Sequence, residues 1–246
     1  MRHLALLLLL GCGRIGIDPL PGTDDAGTAD APPDAAPACL IDNTPCDDGN
    51  ICTPSSTCSG GVCVGAPPLT CTVARSEPEF STVQGDNGWF YGFWESTTDA
   101  DATYAASTEF RQLVLFPGEL WRPPTWQDMP SPEFTWTYLA WWGGHPGTFP
   151  EWRIPIRRWV SDVAGRASAV VHLEKADATN GDGTQAILVV DGVTVFIRGV
   201  TFDDGTGFTE TVPIDVVVGS TVDLLLHPNG DDGGDTSTIS MDIESR

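Results

Sequence analysis

Alternation is the feature that most constrains this chain. Val193, Val195 and Ile197 alternate with Thr194, Phe196 and Arg198, and the pattern returns in Val212, Ile214, Val216 and Val218, in Val222, Leu224 and Leu226, and in Ile239, Met241 and Ile243. A period of two belongs to a strand with one face in the core, so Val193, Val195 and Ile197 are expected to point inward. Asp191-Gly192 separates the apolar runs 185–190 and 193–198. Both residues tolerate the positive φ of a type I′ turn, which predicts a hairpin. A further run, A-S-A-V-V-H-L at 167–173, adds a strand. Short strands with turn signals between them, and no helical period, predict an all-β fold, an antiparallel β-sandwich.

The rest of the chain divides by composition. Met1-Arg2-His3 followed by the apolar run 4–10 is too short to span a bilayer and reads as a signal peptide. It ends in Leu9-Leu10-Gly11-Cys12, which resembles the lipobox of bacterial lipoproteins. The resemblance implies cleavage before Cys12 and lipidation of its thiol, hence export and anchoring to the cell envelope, at the outer membrane, with the membrane touched through the lipid alone. From 13 to 38, twenty of twenty-six residues are Ala, Pro, Asp or Gly. Such a segment cannot bury enough surface to offset its ordering entropy, and a disordered tether reaching roughly 30 Å is expected.

Six cysteines, Cys39, Cys46, Cys52, Cys58, Cys63 and Cys71, lie within 39–71. With no C-x2-C pair and no histidine in the segment, zinc is disfavoured, and three disulfides in a small knot are expected; fifteen pairings remain open. The run C-D-D-G-N-I-C-T-P-S-S-T-C-S-G-G-V-C-V-G resembles a cysteine-rich motif of secreted myxobacterial proteins. Residues 72–246 are left for the sandwich, long enough for one proper core.

All nine tryptophans fall between Trp89 and Trp159, on segments broken by Pro123-Pro124, Gly143-Gly144 and Pro146. Most tryptophans are core, but two or three on loops suit a sugar, whose axial C–H face stacks on an indole. Trp141 and Trp142 are the first candidates, with Trp89 and Trp94 behind them. Residues W-F-Y-G-F-W-E at 89–95, His145-Pro146-Gly147, Arg157-Arg158-Trp159, Gly181-Asp182-Gly183 and H-P-N-G-D-D-G-G-D-T-S-T at 227–238 together resemble the galactose-binding-like jelly rolls appended to secreted bacterial proteins. The likeness runs from about residue 75 to 246 and implies a jelly-roll, non-catalytic module that binds carbohydrate.

The net charge of −22, with one lysine among twelve basic residues, excludes nucleic acid and anionic lipid surfaces as partners. A neutral polysaccharide or a cation fits better. No H-E-x-x-H, G-x-S-x-G, P-loop or dinucleotide motif occurs, so an enzyme is not expected. A hydrolase would need two carboxylates from a set such as Glu95, Glu109, Glu133 and Glu151. A protein-binding or purely structural module is the other alternative. Acidic glycine loops at 177–183, 203–205 and 229–235 offer hard oxygens, so Asp182 or Asp235 is a candidate ligand of one structural calcium. Arg157 and Arg158 are expected to pair with carboxylates inside the sandwich.

Overall fold

The computed structural model describes residues 39–49, 52–53, 55–65, 71–124, 136–148 and 151–245. Cys12, the expected leader, the expected tether and Glu133 lie outside these residues. A small sheet comes first, in the order β1-β2-β3, made of β1 (Pro45–Cys46), β2 (Ser56–Ser59) and β3 (Val62–Gly65). Three disulfides staple it: Cys39–Cys58, Cys46–Cys63 and Cys52–Cys71. First pairs with fourth, second with fifth and third with sixth, an interleaved arrangement. Each closes 17 or 19 residues, and constraining the unfolded chain by such loops contributes about 3 kcal/mol apiece. So small a sheet has no core of its own to replace that stabilisation.

The sandwich follows directly, beginning with β4 (Thr72–Arg75) and β5 (Trp89–Glu95). Five short strands come next: β6 (Arg111–Gln112), β7 (Val114–Phe116), β8 (Leu120–Arg122), β9 (Tyr138–Leu139) and β10 (Gly143–His145). The long ones are β11 (Arg153–Val160), β12 (Gly165–Lys175), β13 (Thr184–Val190), β14 (Val193–Val200), β15 (Phe208–Val216), β16 (Thr221–Pro228) and β17 (Ser237–Ser245). One sheet runs β15-β12-β17-β10-β9-β8-β7, with β4 also on β17; the other runs β14-β13-β16-β11-β5-β6. The steps β11 to β12, β12 to β13, β14 to β15, β15 to β16 and β16 to β17 all cross between sheets. The resulting quartets, β4-β17-β12-β15 and β11-β16-β13-β14, have the interleaved order of a jelly roll.

Between the sheets Trp89, Tyr91, Trp159, Leu188 and Leu224 meet Val171, Leu173, Ile239, Met241 and Ile243 in one apolar core. A second cluster, Trp94, Tyr104, Ala106, Ile154, Ile156, Val189 and Leu225, covers the outer side of the β14-to-β6 sheet. Arg158 fastens its lid. The guanidinium grips buried Asp223 with two 2.7 Å bonds, donates to the Ala106 carbonyl at 2.7 Å and lies 3.9 Å from the Phe110 centroid. Tyr104 completes the clasp through its hydroxyl, 2.9 Å from Asp223.

The Asp191-Gly192 hairpin is present, with φ of 48° and 82°. The inward face expected for β14 is reversed. Val193, Val195 and Ile197 are 64%, 42% and 59% exposed, whereas Phe196 packs on the core. The cause is register: Phe196 stands opposite Leu188, which points inward, and Ile197 stands opposite Ile187. Directly paired residues share a face. The register also shifts at Leu188/Val189, the mark of a bulge.

Candidate functional site: an aromatic cavity beside a glycine loop

Two short strands build one wall of the site. In β9 and β10 Tyr138 pairs with His145, and Leu139 with Gly144. Gly143 is required by closeness: a Cβ there would stand 2.1 Å from the Ser237 carbonyl oxygen of β17. The connecting turn is pinned from inside by Arg157, which is fully buried and donates to the carbonyls of Ala140 at 2.5 Å, Trp141 at 3.2 Å and Ser76 at 3.0 Å. Arg158 takes the carboxylate expected for the pair, and Arg157 takes carbonyls instead. Burial accordingly lowers the Arg157 pKa to about 10.

The other wall is the loop before β17. Asp232 accepts from the Thr148 amide at 3.0 Å and its hydroxyl at 2.8 Å, which fixes both carboxylate oxygens. Gly234 adopts φ +76° and its carbonyl accepts from the Lys175 ammonium at 2.6 Å. That ammonium also donates to Asp235 at 2.8 Å, in an ion pair with both side chains fully buried. Burial outweighs the pull of Lys175 and raises Asp235 to about 6.

Between the walls lies a cavity of about 350 Å³, lined by Trp136, Tyr138, His145, Asp232, Gly233, Gly234 and Thr236. Trp136 is 56% exposed, and the rings of Trp136 and Tyr138 each lie 6.0 Å from the His145 ring. Trp142 meets Tyr138 edge-on at 6.4 Å. Burial lowers the pKa of His145 and raises that of Tyr138. The His145 Nδ1 contacts the carbonyl of Pro146, an acceptor, so in the neutral ring Nδ1 carries the proton and Nε2 is an acceptor.

The four expected tryptophans separate. Trp141 is 56% exposed beside the cavity without lining it, and Trp142 is half-buried behind Tyr138. Trp89 and Trp94 are not platforms. Trp89 is sealed in the core with its indole N–H on Glu79 at 2.8 Å, and Trp94 lies under Tyr104 in the second cluster. Their strand, β5, lies inside its sheet with a neighbour on each side and a covered outer face. Missed in the sequence were Trp136, Tyr138 and Asp232. The first two share a face at i and i+2, a signal masked by the brevity of β9.

Asp182 and Asp235, the candidate calcium ligands, are both engaged within the protein. Asp235 already holds an ammonium, Asp182 accepts from the Asp231 amide at 3.2 Å, and no group of three or more candidate ligands clusters among the described residues. Of the carboxylates a hydrolase would need, Glu95 is bound by Arg111 and Arg153, Glu151 by Arg153, and Glu109 accepts from the Ala105 amide. No family model matches the chain, nor does any curated protein compared with it.

Proposed function

We propose that the sandwich is a non-catalytic carbohydrate-binding module, exported and held at the cell envelope by a lipid on Cys12. The observation that carries the reading is the cavity framed by Trp136, Tyr138 and His145, with Asp232 and the Gly233-Gly234 backbone at its rim. Aromatic faces accept the C–H side of a pyranose and the acceptors take its hydroxyls, while the volume suits one or two sugar units. Trp141 offers an extra ring for a longer chain. The engaged carboxylates speak against hydrolysis, because glycosidic cleavage needs one carboxyl to protonate the leaving oxygen and a second opposite it.

Trp136→Ala is expected to weaken glycan binding about tenfold or more, as removal of an aromatic anchor does at a hot spot. Its half-exposed ring makes the melting temperature stay near that of the unmodified protein. Titration calorimetry with soluble oligosaccharides, beside a melting curve, reads both. A loss of folding without a binding phenotype would return the aromatic cluster to a structural role.

A further inference from the structure

We infer that the cavity selects glycans carrying a protonated amine, 2-amino-2-deoxy sugar units, over their neutral counterparts. The inference rests on the sugar-binding reading above and deepens it. Its ground is a fixed carboxylate set beside aromatic faces in one cavity. Asp232 supplies a carboxylate whose two oxygens are held in place by Thr148. His145 adds a ring whose Nδ1 proton is committed to Pro146, which leaves Nε2 an acceptor. Trp136 and Tyr138 supply π faces.

An alkylammonium is the complement of that set. It has three donors and no acceptor, and it is drawn to an aromatic face within about 6 Å. A hydroxyl carries no net charge and gains less from a carboxylate and π faces. Among the described residues no cationic side chain lines the cavity, although Arg122 and Lys175 both act on His145 from behind it. Lys175 is fully buried and spent on Asp235 and the Gly234 carbonyl. Arg122 lies 5.4 Å from the Tyr138 centroid but is not part of the lining. The surrounding charge of −22 raises the local concentration of any cation.

The test titrates the purified chain, at physiological salt, with β-1,4-linked glucosamine disaccharide, its N-acetylated form and cellobiose. The free-amine sugar is expected to bind about tenfold tighter than the other two, the scale of one desolvated cation–π contact. In Asp232→Asn the ratio should collapse toward one. Diffuse attraction to a chain with thirty-four acidic residues would hardly notice the loss of one. A second arm needs no variant: raising the pH until the sugar amine is neutral should erase the preference in the unmodified protein. Equal affinities for all three sugars would overturn the amine inference and leave the sugar reading standing. Failure of all three to bind, with the chain folded, would overturn both.

Discussion

At the scale of single residues, the pair Lys175 and Asp235 controls the loop that forms one cavity wall. Removing one partner strands the other charge in the interior, so Asp235→Ala should cost about 3–5 kcal/mol, whereas replacing both by apolar residues of similar volume should cost far less. Chemical denaturation of the two variants checks this. The titration adds a direction. A carboxyl at about 6 in the folded state and near the ordinary range when unfolded binds more protons folded than unfolded between those values. Its contribution to stability is therefore largest at the acid end of that window and is lost as pH rises through about 6. The stability of the native protein relative to Asp235→Asn should fall across that range, and melting temperatures at a series of pH values would show it. Neither partner was legible in the sequence as half of a pair. Lys175 ends a strand and Asp235 sits in a glycine loop sixty residues later, and only the return of β17 alongside β12 brings them together.

At the scale of elements, periodicity revealed that strands exist but not always which face is inward. The core faces of β15, β16 and β17 follow their alternation, with Val212, Ile214 and Val216, Val222 and Leu224, and Ile239, Met241 and Ile243 all buried, whereas Val218, past the end of β15, is exposed. On β14 the rule fails, because Val193, Val195 and Ile197 are as apolar as any inward set, and register against β13 decides instead. Ile197→Thr should then change stability by no more than about 0.5 kcal/mol, as exposed substitutions do. Leu188→Ala on β13, buried completely, should cost about 2–5 kcal/mol. Equal losses in urea titrations would mean that β14 buries its valine face after all. The same limit hid the site. Trp89 and Trp94 were secondary candidates from the tryptophan-rich half, yet β5 is flanked by β11 and β6 and covered on both faces, while the two-residue β9 that presents Tyr138 is too short to show a period.

At the scale of the whole molecule, the division into a stapled cysteine segment and a sandwich was readable because cysteine and tryptophan are confined to different stretches. Disulfide pairing was not, since fifteen arrangements share one sequence. For the amino-terminal end, Cys12→Ala is expected to move the protein from the membrane fraction to the soluble one or to leave it unprocessed; unchanged fractionation would remove the lipid anchor from the proposed function.

The position of β17 has a consequence for how the chain is made. It lies between β12 on one side and β4 and β10 on the other, and Ser245 exchanges hydrogen bonds with Cys71, 174 residues earlier. The first strand of the sandwich thus has no partner until the last has left the ribosome. Contacts of such sequence separation form late and slowly. The β4 edge of the sheet therefore stays open until β17 has emerged, while ladders such as β13–β14 and β12–β15 can pair before it. On the proposed export route, this strand order would leave the β4–β17 ladder to close beyond the membrane, where an oxidising milieu can also close the cysteine bridges next to it.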